Sequence, residues 1–246
     1  MTDYLDYLWL ETKRQWRDRQ ALLFRLGLPT AVYLLLVAVQ DRPGGSSGDL
    51  PWETGRMVAL AALGAVISGL AAGPSLGEER ASGWLRQLRV TPLRPSAAVV
   101  AKVAVAMSFA LPAIALVVAV GGLTDGVSLA WTRWIGLVGL MWIATAPITA
   151  LGALLGLTFA AQAAQGATNL AFLVLWLLGG IFTSPDSLPD ALAALSRNLP
   201  SYGVIQVGQS AAGGNPVSVS AVAVLAAWTV GAGALAALAW RRSVTR

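Results

Sequence analysis

The sequence has no cysteine and no histidine among its 246 residues, and this excludes several classes of site. Disulfide bridges, zinc sites with thiolate or imidazole ligands, and haem ligation through Cys or His cannot form in this chain. Charged residues are also scarce, at 12% of the sequence, whereas an average soluble domain has about 25%. Together with 56% hydrophobic residues and a mean hydropathy of +0.66, this composition indicates a chain that folds in lipid.

Lysine occurs only twice, and neither copy belongs to a nucleotide-binding motif. The phosphate-binding pattern G-x-x-x-x-G-K-[ST] needs Ser or Thr directly after its lysine. Arg14 follows Lys13 and Val103 follows Lys102, so this chain is not expected to bind ATP through such a loop. The metalloprotease pattern H-E-x-x-H is missing as well, and the sequence predicts neither an enzyme nor a metal site.

Six stretches are long and apolar enough to cross a bilayer, for which about 20 residues are needed. They cover residues 22–39, 56–76, 97–121, 134–160, 166–183 and 216–240. Two of them contain Pro112 and Pro147, which neighbouring helices can accommodate. A Gly152-x-x-x-Gly156 spacing favours close helix packing, but it is common in a chain with 26 glycines. The sequence predicts an all-α integral membrane protein with six transmembrane helices.

The positions of Lys and Arg predict the orientation, because positive residues collect on the cytoplasmic side of a membrane. Of the 17 such residues, 13 lie on the side that holds both termini and the loop between spans two and three. The net charge of +5 therefore orients the chain and does not indicate nucleic-acid binding. With its Ala-, Gly- and Arg-rich composition, the protein is expected in the inner (plasma) membrane of a bacterium, with both termini cytoplasmic.

Residues 1–21 precede the first span and predict an amphipathic helix, separate from the six-helix domain of residues 22–246. One face repeats apolar residues at three- and four-residue spacing, and cationic residues flank it: Leu5, Leu8, Trp9, Thr12 and Trp16, with Lys13, Arg14, Arg17 and Arg19. Such a helix lies along the membrane surface near anionic headgroups. The alternative is a solvated basic extension that only fixes the topology.

The loop after the second span contains a second short amphipathic pattern. Its apolar residues follow i, i+3, i+4, i+7 spacing: Ala81, Trp84, Leu85 and Leu88. A short helix of this kind, with both charge signs on its other face, suits docking into a groove of a soluble partner. The pattern alone fits equally well a connecting loop whose arginines only orient the chain.

Two runs resemble a known family, the ABC transporter type-2 permeases of the daunorubicin-resistance and antibiotic-exporter group. The first run is Glu79-Arg80-x-x-Gly83-x-Leu85-x-x-Leu88-x-x-Thr91-Pro92-Leu93, which is similar to the cytoplasmic loop of these permeases. The second begins at Gln162, Gln165 and Asn169 and continues through Gly179-Gly180-Ile181-Phe182 to Leu188-Pro189, Leu199-Pro200 and Tyr202. The resemblance covers most of the chain.

The resemblance implies an assembly in which two permeases, here an expected homodimer, work with two soluble ATPase subunits that bind ATP and Mg²⁺. A coupling helix at residues 78–89 would contact the ATPase through Glu78, Glu79, Arg80, Gly83, Trp84, Leu85 and Leu88. A connecting helix would contribute Trp9, Lys13, Arg14, Trp16 and Arg17. Residues 184–215 would form outer re-entrant helices. The implied activity is export of a hydrophobic small molecule such as a drug, antibiotic or lipid.

Few ionisable groups fall inside the predicted spans, and a proton-coupled carrier usually keeps one there. Lys102 and Arg56 lie near helix ends, where long cationic side chains are expected to extend toward the headgroups. The polar residues that could line a pathway are Thr145, Thr149, Gln162, Gln165 and Asn169, although each could instead bond between helices. An ATP-independent secondary carrier and a non-transporting membrane scaffold or sensor partner are the two alternatives to an exporter permease.

Overall fold

A computed structural model of the chain describes residues 2–39, 46–47, 50–82 and 95–245, most of which are helical. The helices are α1 (Thr2–Arg17), α2 (Arg19–Leu22), a π-helical turn (Leu23–Gly27), α3 (Leu28–Val39), α4 (Trp52–Leu70), α5 (Ala72–Ala81), α6 (Pro95–Thr124), α7 (Trp131–Ala144), α8 (Ala146–Thr158), α9 (Ala161–Leu177), α10 (Asp190–Arg197), α11 (Pro200–Gly213) and α12 (Val219–Thr245). A 3₁₀ turn (Pro185–Ser187) precedes α10, and two short antiparallel strands, β1 (Ser46–Ser47) and β2 (Leu50–Pro51), precede α4.

Five helical stretches of the described residues are long and apolar enough to cross a membrane. They are Arg19–Val39, Trp52–Ala81, Val99–Thr124, Trp131–Thr158 and Val219–Arg241. These correspond to the first, second, third, fourth and sixth spans that the sequence predicted. The all-helical fold class and a multi-pass membrane protein are thereby confirmed.

The predicted fifth span, residues 166–183, corresponds to α9, which has only 17 residues and ends at Leu177. That length is at the lower limit of the roughly 17–25 residues of spanning helices. Two glycines account for the early end. Gly180 has a φ of 85°, and a Cβ atom on Gly179 would lie 1.7 Å from Ser201 Oγ on α11. The chain therefore turns toward α11 at this point, and a sixth span stays a prediction.

Two of the five stretches are interrupted by one non-helical residue near a proline. In Trp52–Ala81 the break separates α4 from α5, and Pro74 lies in the first turn of α5. In Trp131–Thr158 the break separates α7 from α8, and Pro147 lies in the first turn of α8. Proline has no N–H group to bond to the carbonyl four residues earlier, so each helix restarts instead of continuing.

The second and fourth spans cross at very short distance because glycines face each other. A Cβ atom on Gly156 of α8 would lie 2.2 Å from the carbonyl oxygen of Gly73 on α5. One turn away, a Cβ atom on Gly152 would lie 2.9 Å from the carbonyl oxygen of Gly69. Each span thus contributes two glycines spaced four residues apart, and their small size lets the backbones touch.

The centre of the bundle is α4, which packs against α6, α8 and α11 and is buried along most of its length. The segment of residues 184–215 contains α10 and α11. With 14 residues, α11 is too short to span, but it packs against α7, α12 and α4, and half of it is buried. Its predicted re-entry into the membrane stays a prediction.

Candidate functional site

Three charged side chains from three helices meet at one end of the bundle. Lys102 on α6 contacts both Glu11 on α1 and Glu79 on α5. Its ammonium group donates a hydrogen bond to Glu11 and lies 2.7 Å from Glu79 Oε1. The exposed fractions of the three residues are only 3%, 6% and 8% for Lys102, Glu11 and Glu79. We call these residues the charged triad, and the end of the bundle that holds them the basic end.

The two carboxylates of the charged triad are bound unequally. Glu11 Oε1 accepts a hydrogen bond from Lys102 and another from Gln15 Nε2 at 3.3 Å. Glu79 has Lys102 as its ion-pair partner, and no second residue among those described donates a hydrogen bond to either of its oxygens. Buried charges are stabilised only when they are both paired and hydrogen-bonded. Glu79 is therefore the more weakly held carboxylate.

The ionisation of Glu11 reflects two opposing effects. Burial raises the pKa of Glu11 because it disfavours the charged carboxylate, but the hydrogen bond and the positive charge of Lys102, together with the hydrogen bond from Gln15, lower it by more. The net result is a pKa of Glu11 below its ordinary value. Glu11 thus remains a carboxylate at neutral pH and pairs with Lys102.

Further polar and aromatic contacts attach α1 to the bundle beside the charged triad. Arg25, in the π-helical turn, donates to Gln15 Oε1 at 2.7 Å, and its guanidinium lies 5.0 Å from the centre of the Phe109 ring on α6. Trp16 packs against the same ring, with 4.9 Å between ring centres. These contacts and the charged triad together fix α1 against α6.

Arg80, the residue after Glu79, contacts a different helix. Its Nη1 donates to the carbonyl oxygen of Leu157, and also lies 3.2 Å and 3.4 Å from those of Gly156 and Phe159. The last carbonyl groups of a helix lack intrahelical partners and carry partial negative charge, which a guanidinium can neutralise. Consecutive residues of α5 therefore reach α6 and α1 on one side and the end of α8 on the other.

A cavity of about 1130 Å³ opens next to the charged triad. Its apolar lining comes from Phe24, Leu28, Ile67, Leu70 and Phe172. Its polar lining includes the charged triad and carries both charge signs, with Arg14, Arg17, Asp18, Arg25 and Glu78 as further contributors. Ligand cavities of about 300–1,000 Å³ hold drug-sized molecules. The size and mixed lining of this cavity suit a large amphipathic molecule.

Two of the residues that the sequence placed on a pathway line this cavity. Gln165 and Asn169 lie one turn apart on α9, and Gln165 Nε2 donates to Asn169 Oδ1 at 2.9 Å. Between them, Thr168 also lines the cavity, and its buried hydroxyl has no hydrogen-bond partner among the described residues. This face of α9 therefore offers polar groups to a bound molecule.

The other three predicted pathway residues lie elsewhere. Gln162 is exposed at the start of α9 and is not part of the cavity lining. Thr145 and Thr149 are fully buried, and their hydroxyls donate to carbonyl oxygens of their own helical segment, at 2.9 and 3.2 Å. Both hydroxyls are satisfied within the bundle, beside the break caused by Pro147.

The predicted coupling residues are divided between α5 and residues 83–94. Glu78 is exposed and lines the cavity, whereas Glu79 and Arg80 make the intramolecular contacts described above. The remaining ones, Gly83, Trp84, Leu85 and Leu88, lie outside the residues that the structure describes. The predicted coupling helix at residues 78–89 is therefore untested beyond Ser82.

The predicted connecting residues all lie on α1, Thr2–Arg17, at the position of the predicted amphipathic helix. Lys13, Arg14 and Arg17 are exposed, and Trp9 is 66% exposed. Trp16 is partly covered by its contact with Phe109. The exposed Trp and cationic side chains are the type of surface that meets a membrane interface, which stays a prediction for this helix.

The expectation that Lys102 and Arg56 extend toward the headgroups is wrong, because acidic residues of neighbouring elements bind both side chains inside the bundle. At the end opposite the basic end, Arg56 Nη2 lies 2.7 Å from Asp125 Oδ2, and Tyr33 donates a hydrogen bond to the same oxygen. The side chains of Arg56 and Asp125 are only 9% and 1% exposed. This cluster joins the first, second and third spans.

Sequence reasoning missed Glu11 and Asp125, and it treated Lys102 as a surface residue. A signal existed for each, since an ionisable residue within or beside an apolar helix usually has a partner. What the sequence could not supply was the pairing, because Glu11 and Lys102 are 91 positions apart.

One short motif matches a catalytic pattern by letters alone. Gly73-Pro74-Ser75-Leu76-Gly77 has the form G-x-S-x-G, in which the serine of a hydrolase stands on a strand-to-helix turn next to a histidine. Here Ser75 lies inside α5 and the sequence has no histidine. The pattern therefore carries no Ser-His-Asp triad.

Comparison with known proteins places these features in a family. Residues 6–211 match the family described as "ABC-2 type transporter". The chain is also similar to the Bacillus subtilis (strain 168) protein named "Putative transport permease YvfS", with 25% identity over 195 residues, which cover 78% of each chain. The matched region contains the charged triad, the cavity and all residues predicted to contact a partner or cargo.

Proposed function

The chain belongs to the ABC-2 type transporter family, and we propose that it is the membrane-spanning permease subunit of an ATP-driven exporter. The observation that carries the proposal is the family match over residues 6–211, which extends from α1 into α11. Similarity to a protein named as a transport permease supports the same role. The permease itself performs no chemistry on its cargo.

The proposed cargo is a hydrophobic or amphipathic compound such as a drug, an antibiotic or a lipid. Support comes from the cavity at the basic end, where Phe24, Leu28 and Phe172 offer apolar contact surface and Gln165 and Asn169 offer hydrogen bonds. An amphipathic molecule can bury its apolar part against the first group while its polar part contacts the second. Alternating access would open this cavity to each side of the membrane in turn.

The proposed energy source is ATP hydrolysed by a separate subunit, present in two copies and binding ATP with Mg²⁺. The sequence supports this division of labour, since neither lysine of the chain belongs to a phosphate-binding loop. A second permease, expected to be an identical chain, completes the assembly. The coupling contact is assigned to residues 78–89 in the cytoplasm, which requires cytoplasmic termini and an inner-membrane location.

The proposal is tested by co-expressing the tagged permease with the ABC ATPase subunits of its source organism, one at a time, and reconstituting the purified complex in vesicles. A fluorescent phospholipid and a hydrophobic fluorescent amine serve as transport probes, and ATP hydrolysis is measured in parallel. We expect the ATPase to co-purify, and ATP to drive movement of at least one probe across the membrane. Leu85→Asp and Leu88→Asp should each abolish both co-purification and transport.

The alternatives predict different results. A secondary carrier would move the probes under an ion gradient with no ATPase present. A scaffold or sensor would bind partners but move neither probe, and it would not stimulate ATP hydrolysis. An Asp substitution at the exposed outer residue Leu192, which is 40% exposed, is the matched control for Leu85→Asp. Undiminished transport in both loop variants would contradict the coupling role.

A further inference from the structure

We infer that the charged triad is a mechanical latch that passes movement of residues 83–94 to α1 and α6, and that Glu79 and Arg80 are positioning residues within this chain. The inference rests on the proposed function, since the movement would come from an ATPase bound to that loop. It differs from the expectation drawn from the family resemblance in one respect. Glu79 and Arg80 contact other helices of this chain and are not assigned to the surface that binds the ATPase.

The charged triad lies where residues 83–94 join the helix bundle. Residues 83–94 connect the end of α5 to the start of α6, so any force on them reaches the bundle through these two helices. Glu79 lies two residues before Ala81, where α5 ends, and Lys102 lies within the first turns of α6. Their 2.7 Å contact joins the two helices at the base of the loop. This contact holds the two helices together while it is closed, and lets α6 move relative to α5 when it opens.

Lys102 also adds a third helix to this connection. Glu11 on α1 binds the same ammonium group, and Trp16 and Arg25 contact Phe109, seven residues further along α6. The helix α1 is thus attached to α6 at two levels, about two helical turns apart. A displacement of α6 would carry α1 and the π-helical turn at the start of the first span with it.

The two carboxylates of the charged triad are also bound unequally. Glu11 accepts hydrogen bonds from Lys102 and Gln15, whereas Lys102 is the one described partner of Glu79. The connection between α1 and α6 is consequently the stronger one, and the connection to α5 is the one that can open. On its other side, α5 is attached to α8. Arg80 is bound to the end of α8, and the backbone of Gly73 touches Gly156.

The latch lies in the wall of the proposed cargo site. All three members of the charged triad line the cavity, as do Gln165 and Asn169 from α9. When Glu79 separates from Lys102, the walls contributed by α5 and α6 move apart. Separation of Glu79 from Lys102, driven by movement of residues 83–94, therefore changes the shape of the cavity.

The experiment measures a distance change in the complete complex of permease and ATPase in lipid nanodiscs. Because the chain has no cysteine, Leu10→Cys on α1 and Ala163→Cys on α9 provide two specific sites for spin labels, and both positions are exposed. Pulsed electron resonance gives the distance between the labels without nucleotide and after trapping with ATP and vanadate. With the charged triad intact, we expect trapping to shift this distance.

Lys102→Met and Glu79→Gln should each abolish the shift, measured in complexes that contain the ATPase in the same ratio as the intact protein. Lys102→Arg should preserve the shift, because it keeps a cation between the two carboxylates. Glu79→Gln has nearly the same shape as the original and leaves the Glu11–Lys102 pair in place, so it carries the test if Lys102→Met does not fold. Arg197→Met, which breaks the exposed Arg197–Asp186 pair, is the matched control and should leave the shift unchanged.

Three results would overturn the inference, and they are distinguishable. An equal shift in Lys102→Met, Glu79→Gln and the intact chain would show that movement reaches α1 without the latch, while the proposed function stands. Absence of any shift with the charged triad intact would likewise overturn the latch alone. Absence of any ATPase in the purified complex would overturn the proposed function and the latch with it.

Discussion

Lys102 on α6 and Glu79 on α5 form a buried ion pair of 2.7 Å at the base of the segment that joins their two helices. Glu11 of α1 shares the same ammonium group. Breaking a buried ion pair by removing one partner is strongly destabilising, whereas replacing all partners with neutral groups can be tolerated. The charged triad should therefore respond very differently to single and combined substitutions.

Lys102→Met leaves two buried carboxylates without a cation. We expect it to lower the free energy of unfolding by about 3–5 kcal/mol, the range for uncompensated buried charges. Adding Glu11→Gln and Glu79→Gln to Lys102→Met should recover much of this loss, since no buried charge remains. Denaturant titration of the purified protein in detergent micelles measures the difference. A triple variant less stable than Lys102→Met would contradict the assignment of the charged triad as a buried charge cluster.

Acid should weaken the attachment of α1 to α6. The pKa of Glu11 is lower in the folded protein than in the unfolded chain, so the contribution of its carboxylate to stability is complete above the unfolded pKa. It is lost progressively as the pH falls through the folded pKa, because protonation removes the charge that pairs with Lys102. The nearby charged groups Glu79 and Arg14 act on the same equilibrium.

The measurement is thermal stability in detergent from pH 7 to pH 3. The original chain should lose stability over the acidic part of this range, below the ordinary pKa of a glutamate. Glu11→Gln should be less stable at pH 7 and should show a smaller decrease on acidification. Equal decreases in the two proteins would exclude Glu11 as a source of the pH dependence.

The helices that cross the bundle were largely predictable, because a run of about 20 apolar residues has few alternatives to a spanning helix. Five of six predicted spans have counterparts among the described helices. The end of α9 was not predictable from hydropathy. Ile181 and Phe182 are apolar, but Gly179 and Gly180 let the chain turn and bring Ser201 against the end of α9.

The site was predictable only in part. Periodicity located α1, and polar residues on one face of a helix indicated Gln165 and Asn169, both of which line the cavity. The inward direction of Glu79 and Arg80 was not accessible from local pattern, since their partners Lys102 and Leu157 follow 23 and 77 positions later. Long-range pairing of this kind depends on how the helices pack, which a single sequence does not specify.

The glycine contact between α5 and α8 predicts a steric effect. A methyl group on Gly156 would collide with the carbonyl oxygen of Gly73 at 2.2 Å, and a backbone atom cannot rotate away. We expect Gly156→Ala to reduce the free energy of unfolding by about 1–3 kcal/mol, as overpacking does. Gly139→Ala on α7 is the matched control, since nothing lies within 4 Å of its added carbon.

The control should be neutral or should stabilise by up to about 1 kcal/mol, because alanine is the better helix former. Both variants are compared by denaturant titration in the same detergent. Equal effects of the two substitutions would mean that α5 and α8 do not cross through these glycines.

The cluster at the opposite end predicts a second charge effect. Asp125→Asn leaves the guanidinium of Arg56 buried without its carboxylate, with only 9% of that side chain exposed. We expect a loss of about 3–5 kcal/mol in the free energy of unfolding. Tyr33→Phe removes a hydrogen bond to Asp125 but no charge, so it should destabilise less, by about 1.5–3 kcal/mol, the range for a hydrogen bond to a charged group. The ranking of the two variants by denaturant titration tests the ion pair directly.

Arg80 predicts a local effect at the end of α8. Its guanidinium reaches the carbonyl groups of Gly156, Leu157 and Phe159, and these would otherwise lack partners. Arg80→Gln should destabilise by about 1.5–3 kcal/mol, the range for hydrogen bonds to a charged group. The stability of Arg80→Lys should fall between that of the original chain and that of Arg80→Gln. An ammonium group is a compact charge that cannot reach three acceptors as a planar guanidinium does.

Hydrogen–deuterium exchange of residues 155–160 is the measurement that separates this effect from general destabilisation. Loss of the Arg80 contacts should accelerate exchange at the end of α8 more than at the centre of the bundle, because helix ends open first when their carbonyl groups lose a partner. Arg197→Gln serves as the matched control: its pair with Asp186 is exposed, and exposed pairs contribute about 0–1 kcal/mol. If Arg80→Gln behaves like Arg197→Gln in both exchange and stability, the guanidinium does not hold α5 against α8.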